Sequence, residues 1–335
     1  MSELIPIDAE GGLLFATALP GRATDFDRDP ENAWASLGAG TREAPLWIHL
    51  NHQQDRARAW VREQSGLDEF VVESLLAKET RPRFAANDKG LLAIFRGVNM
   101  NPGAEPDDLI ALQMWIEPTR IITTRSFRFR TITDLRLASM EGRGPATPGA
   151  FLASIARGLA GRLAPVVENL DEMLDTVEED LVDDANAAKA ERSALATIRR
   201  QAITYRRYMV PQRDAMAGLA VVETDLLSVR DRAQLRLASE QVARVVEDLE
   251  ELRDRAAVTT DELRAHREAQ LSRTTYLLTI VATVTLPLAL LTGLLGINVG
   301  GIPGEGNHWA FAAVCGVMLI IATVEVWVFR KLRWL

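Results

Sequence analysis

Hard, neutral oxygen atoms are suited to contacting a hydrated divalent cation, and this chain gathers them beside an apolar run. The segment Gly296-Ile297-Asn298-Val299-Gly300-Gly301-Ile302-Pro303-Gly304 combines glycines, which let the backbone turn and expose its carbonyls, with the amide oxygen of Asn298. On its own such a segment reads as a turn, so its position decides its meaning. Just upstream, Thr275, Thr279, Ala282, Ala289 and Gly293 recur at spacings of three to four, or seven across Leu286. On a helix they share one face. A stripe of small residues lets helices pack closely. Around a shared axis the same stripe lines a narrow pore, with Leu278 and Leu286 as a hydrophobic constriction that gates by dewetting. Pro287 sits in mid-helix and is expected to bend it.

Other residue clusters offer weaker chemistry. Glu305 and His308 lie in the connection after this run, where zinc or a proton could be captured; the alternative is a solvated loop. His49 and His52 look like a metal pair, but at a strand end positions i and i+3 point to opposite faces. Between Glu168 and Asp184 there are nine acids in seventeen residues, with Asp171, Glu172, Asp175, Glu178 and Glu179 on the outer face of an amphipathic helix. That face is either solvated or an electrostatic sink for cations. Glu325 is an acid inside an apolar run, close enough to its end to snorkel. Cys315 is the single cysteine, which excludes an intrachain disulfide and a thiolate zinc cage. With no G-x-x-x-x-G-K-[ST], G-x-S-x-G or H-E-x-x-H motif, neither an enzyme nor a cofactor is expected. The formal net charge of -8 argues against a nucleic-acid partner.

The elements that must position these residues follow from hydropathy. Mean hydropathy over the chain is -0.01, but residues 276–296 and 309–329 are two apolar runs of 21 residues, each long enough to cross a bilayer core of about 30 Å. Arg264, Arg267 and Arg273 precede the first run, and Arg330, Lys331 and Arg333 follow the second. The connection at 297–308 has no Lys or Arg, so the positive-inside rule places both termini in the cytoplasm. Two helices make a hairpin rather than a tube, so a pore requires several copies around one axis.

The cytoplasmic part is expected to open with an α/β domain at 1–148. Its strands are read at Leu13–Leu19, Leu46–Leu50, Leu91–Val98, Leu109–Ile116 and Arg120–Thr124, and its helices at Asp55–Gln64 and Asp68–Lys78. Gly142–Gly149 reads as a linker. An acidic helical hairpin at 149–230 follows, one helix carrying Leu170, Leu174 and Val177, the other Leu195, Ile198, Ala202, Tyr205 and Met209. A heptad seam through Leu235, Val242, Leu249, Ala256 and Leu263 then predicts a stalk at 231–275 that continues into the first span. The tail is 330–335. The fold class is therefore an α+β membrane protein: a cytoplasmic α/β domain with a mixed sheet, a long helical stalk and two C-terminal transmembrane helices.

A Gly-x-Asn at the outer end of the first of two C-terminal spans, after a long heptad helix and an acidic helix pair, resembles the CorA metal-ion transporter family. The resemblance covers nearly the whole chain. It is most specific over Tyr276–Asn298, and extends to Leu46–Leu50, Arg81-Pro82-Arg83 and Ile121–Thr124. It implies a homopentamer in the bacterial inner membrane, lined by Thr275, Leu278, Thr279, Ala282, Leu286, Ala289 and Gly293, with Gly296-Ile297-Asn298 as an outer selectivity ring and Asn298 meeting a largely hydrated ion. Magnesium-transporting members carry Gly-Met-Asn, whereas Ile297 stands here. VGGIPG and the Trp-Leu ending look like the zinc-transporting, ZntB-like branch. The resemblance thus favours proton-coupled uptake of Zn²⁺, with Mg²⁺, Co²⁺, Ni²⁺ or Cd²⁺ as other cargoes and a Mg²⁺/Co²⁺ channel as the alternative. A membrane-anchored interaction or sensor protein is the reading from another class.

Overall fold

The computed structural model describes residues 6–19, 30–38, 40–78, 80–105, 108–183, 188–296, 304 and 307–331. They fall into two units, Met1–Thr260 and Asp261–Leu335.

The first unit is built on a six-stranded sheet. The strands are β1 (Leu13–Ala18), β2 (Leu46–Asn51), β3 (Arg83–Asn87), β4 (Gly90–Val98), β5 (Leu109–Ile116) and β6 (Arg120–Arg125), in the order β1-β2-β6-β5-β4-β3. Only β2 and β6 run parallel; the other pairs are antiparallel, so the sheet is mixed as expected. A strand covered on both faces reads as a continuous apolar run. β2 (LWIHLN) and β4 (GLLAIFRGV) do so, and Trp47, Ile48, Leu50, Leu92, Ile94 and Phe95 are buried. β3 is not among the expected strands. Its sequence, RFAAN, is short, with polar ends and no β-branched residue, and it pairs only with β4 at the sheet edge.

Helices α1 (Pro30–Ala35), α2 (Asp55–Ala59, continued by a π-type turn at Trp60–Gln64), α3 (Glu69–Leu76), α4 (Arg130–Met140) and α5 (Pro148–Ala160) surround the sheet. The stretch read as a linker at Gly142–Gly149 instead ends in the first turn of α5. Thr147 caps that helix, its Oγ1 accepting from the Ala150 N–H at 3.1 Å, and Pro148 takes the first helical position. Phe151 is fully buried, its ring 4.8 Å from that of Trp47. Gly97 in β4 makes room here: a Cβ would lie 2.8 Å from both Phe129 and Leu159. The segment Pro148–Asp180 is long and apolar enough to cross a membrane, yet Phe151, Leu152, Ile155 and Leu159 are spent in the protein core.

Three longer helices follow: α6 (Ala164–Asp183), α7 (Ala188–Val221) and α8 (Val229–Leu295). The predicted apolar faces are buried, through Leu170, Leu174 and Val177 on α6 and Leu195, Ile198, Ala202, Tyr205 and Met209 on α7. Arg96 ties α7 to β4. Its backbone N–H donates to Gln212 Oε1 at 2.6 Å, and its guanidinium lies 4.2 Å from the Tyr208 ring while donating to the carbonyls of Thr80 and Leu109. The heptad seam on α8 is buried from Leu235 to Leu263, whereas Gln270 and Leu277 on the same seam are exposed.

The second unit contains the C-terminal part of α8 and helix α9 (Ala310–Lys331). α8 is one continuous helix of 67 residues through Pro287. Its apolar window and that of α9 are wholly unburied within the chain.

Candidate cation pathway

The stripe singled out in the sequence lies on the last turns of α8. At about 100° per residue, Thr275, Leu278, Thr279, Ala282, Leu286, Ala289 and Gly293 occupy about 100° of the helix circumference. All seven are exposed, with Leu278 at 65% and Leu286 at 72%. Neighbouring apolar side chains such as Val281, Leu290, Phe311, Leu319 and Ile320 are equally uncovered. A surface this apolar must be covered by lipid or by other copies of the chain.

Threonines recur along this part of the helix. The Thr279 hydroxyl donates to Thr275 O at 2.8 Å, Thr283 to Thr279 O at 2.7 Å, and Thr292 to Leu288 O at 3.0 Å. Each hydroxyl proton is thereby used within the helix, which removes the cost of an unpaired donor in an apolar setting. The oxygen lone pairs remain as acceptors, the polarity a cation or its hydration water requires.

Thr275 and Thr279 also border a groove of about 630 Å³, shared with Tyr276, Ile280, Thr283 and Phe329 of α9. Phe329 is buried, so α9 seats one aromatic beside this edge of the stripe. Gly296 directly follows α8, its N–H donating to Thr292 O at 2.9 Å. Ile297, Asn298 and Glu305 lie outside the described residues. His308 is described and exposed, just before α9. Asn307 opens that helix: its side chain accepts from the Trp309 N–H at 3.0 Å and its carbonyl from the Ala310 N–H at 3.0 Å. Cys315 is exposed on α9. Glu325 is half-buried on the same helix, and its Oε2 has no partner.

The acidic face of α6 is divided. Arg255 of α8 donates to Asp171 Oδ1 and Asp175 Oδ1 at 2.6 Å each and to Glu178 Oε2 at 2.8 Å. The carboxylates of Glu178 and Asp175 push the guanidinium's pKa further above its usual range. Thr259 Oγ1 adds a bond to Glu178 Oε1 at 3.1 Å. Three of the five acids thus already hold a cation supplied by the chain, and Glu172 and Glu179 remain exposed.

The two β2-end histidines serve packing. His52 Nδ1 meets Leu75 O at 3.1 Å and its Nε2 meets Ser126 Oγ at 2.5 Å. His49 Nδ1 meets Thr123 Oγ1 at 2.7 Å, and its ring packs on Phe15. Burial lowers the pKa of both, most strongly for His49. Among the described residues no three His, Cys, Asp or Glu side chains converge as a metal site.

Known proteins share this architecture. The family described as "CorA-like Mg2+ transporter protein" matches residues 42–331. The chain is 36% identical to "Divalent cation transporter CmaX" of Pseudomonas aeruginosa, over 97% of its own length and 98% of the relative's. It is 32% identical to "Zinc transport protein ZntB" of Yersinia enterocolitica, over 88% of its length and 89% of that protein's. The solved structure of full-length CmaX superposes with a TM-score of 0.82 at 33% identity, covering 97% of this chain and 99% of that one. Residues, fold and relatives agree, and the chain belongs to the CorA-like family of membrane metal-ion transporters.

Proposed function

We propose that this protein is a divalent-cation transporter of the CorA and ZntB type, and that its physiological cargo is Zn²⁺. The observation that carries the reading is the stripe from Thr275 to Gly293: a face of small residues, hydroxyl oxygens and two leucines, uncovered in a single chain. Five copies around an axis bury that face against itself and leave a narrow, weakly polar conduit. Gly296, Ile297 and Asn298 then form the outer ring, where amide and carbonyl oxygens meet a hydrated ion. In this reading 231–275 is the stalk, 276–296 the pore-lining span, 297–308 the outer loop and 309–329 the second span. Both termini face the cytoplasm, because the basic residues flank the outer ends of the hairpin and none lies in the connection.

Ile297 in place of the Met of magnesium-type members, with VGGIPG behind it, supports zinc, as does the likeness to proteins named for zinc transport. Uptake is driven by protons, with His308 and Glu305 at the outer mouth as the groups to load them. The second reading, a Mg²⁺ channel, is favoured by the family's own description. Reconstitution in liposomes containing a zinc-sensitive dye, with and without a pH gradient, separates them. Zinc entry that depends on the gradient and falls in Asn298→Ala supports the proposal. Mg²⁺ flux without zinc flux supports the alternative, and no change in Asn298→Ala sinks the assigned ring.

A further inference from the structure

The groove between α8 and α9 is set apart from the stripe assigned to the pore. At about 100° per residue, its α8 wall is centred about 80° round the helix from the centre of that stripe, and only Thr275 and Thr279 belong to both. Ser272, Tyr276, Ile280 and Thr283 complete the wall, and Phe329 of α9 closes it. The volume of about 630 Å³ suits one bound molecule. The groove thus opens on the flank of the helix rather than along the stripe.

Its two ends differ in chemistry. Toward the middle of the span, the Thr279 and Thr283 hydroxyls are spent on the carbonyls of Thr275 and Thr279. Beside them stand Ile280 and the Phe329 ring, so this end is apolar. At the other end, the Ser272 and Thr275 hydroxyls bond to no described residue. Two arginines flank that end, each next in the chain to a residue of the wall: Arg273 after Ser272 and Arg330 after Phe329. Both are exposed, and neither has a hydrogen-bond or ion-pair partner among the described residues. Lys331 follows, its Nζ 5.0 Å from the Trp327 ring. The nearest acids along the two helices are Glu268 and Glu325, each about 6 Å of helix rise from the wall, and neither pairs with these arginines.

We propose that the groove binds one anionic phospholipid, its phosphate held by Arg273 and Arg330 with the Ser272 and Thr275 hydroxyls, and an acyl chain lying along Tyr276, Ile280 and Phe329. Guanidinium groups match phosphate oxygens in charge and in the geometry of their donors. A pocket between transmembrane helices that is basic at the membrane surface favours anionic headgroups. The apolar end takes the hydrocarbon that such a headgroup carries and a free anion lacks. In the orientation proposed above, the lipid belongs to the cytoplasmic leaflet. The inference rests on α8 and α9 spanning the bilayer and not on the choice of ion, so a failed zinc assay leaves it standing.

The test is native mass spectrometry and thermal unfolding of the delipidated full chain in detergent, titrated with phosphatidylglycerol, phosphatidylcholine or inorganic phosphate. Phosphatidylglycerol is expected to bind saturably and to raise the unfolding temperature, phosphatidylcholine to bind more weakly, and phosphate to do neither. Arg273→Gln and Arg330→Gln should each weaken phosphatidylglycerol about fivefold, the equivalent of about 1 kcal/mol per basic residue. Both side chains are exposed and unpaired, so these variants are expected to fold. Arg267→Gln, about 9 Å of helix rise from Arg273, should leave binding unchanged. Thr283→Trp, which fills the apolar end, should weaken both lipids. Equal losses in Arg267→Gln, Arg273→Gln and Arg330→Gln would reduce the effect to general surface charge and overturn the proposal. Phosphate that binds as well as the lipid would overturn it in favour of a free anion. No saturable lipid binding by the native chain would overturn it too, leaving the groove to a neighbouring copy.

Discussion

Arg255 Nη2 lies 2.8 Å from Glu178 Oε2, joining α8 to the acidic helix α6 across 77 positions of sequence. The same guanidinium also reaches Asp171 and Asp175. A face that sequence composition offers to mobile cations is therefore partly occupied by a fixed one.

Replacing Arg255 by Gln removes that charge and leaves three carboxylates close together. Exposed pairs are worth about 0.2–1 kcal/mol each, so the network is expected to lose about 1–2 kcal/mol at low ionic strength, shrinking as salt screens it. Thermal unfolding of the full chain at two salt concentrations checks this. Added Mg²⁺ should restore stability to the variant more than to the native chain, because the ion can take the vacated position.

Stability should fall as pH drops below about 6.5, where an unfolded histidine gains a proton. His49 is held neutral in the folded state, chiefly by burial and then by Arg125 and Arg136, so its folded pKa lies well below the ordinary value. Between the two values the unfolded chain binds the extra proton, and stability rises with pH by up to about 1.4 kcal/mol per pH unit for this group. His52 is lowered mainly by burial and adds in the same direction. Unfolding midpoints across this window should flatten in His49→Gln; an unchanged slope would assign the dependence to other groups.

Gly218 of α7 sits against Phe84 of β3, where a Cβ would come within 2.2 Å of Phe84 Cε1. Gly218→Ala should destabilise by about 1–3 kcal/mol through overpacking, despite alanine's better helix propensity. Gly218→Ala combined with Phe84→Leu should recover part of the loss. A cost that persists in full would place the strain elsewhere.

Transport variants separate pore chemistry from helix structure. Thr279→Val keeps the side-chain shape and deletes the hydroxyl that bonds Thr275 O, so α8 should stay folded while its face loses an acceptor. A severalfold fall in zinc flux is expected, and Asn298→Ala should cost about tenfold or more if its amide contact is worth about 1.4 kcal/mol. In the proposed pore, Leu286→Ala should raise flux by widening the leucine constriction. Equal flux in all three would remove this face from the pathway.

Much of the architecture is legible in the residues alone. A transmembrane span depends on the composition of about 20 consecutive residues, so both C-terminal helices stand out in the hydropathy. Five strands announce themselves through β-branched and apolar runs. β3 does not, because RFAAN becomes a strand by pairing with β4. Helix α5 hides behind GRGPATPG: Gly and Pro read as a linker, while in the fold Pro148 starts a helix whose Phe151 meets Trp47.

The sequence by itself determined the membrane hairpin, the charge asymmetry around it, the mixed α/β character of the first unit and the family likeness, since each is written in local composition or contiguous motifs. Only the tertiary structure decided which charges are already paired and which are not. Arg255 meets Asp171 across 84 positions, and His49 meets Thr123 across 74 because β2 and β6 run parallel. Electrostatic interactions depend on distance in space, which the chain's topology sets and residue spacing does not. That is why the acidic helix α6 proved to carry its own cation, Arg255 of α8.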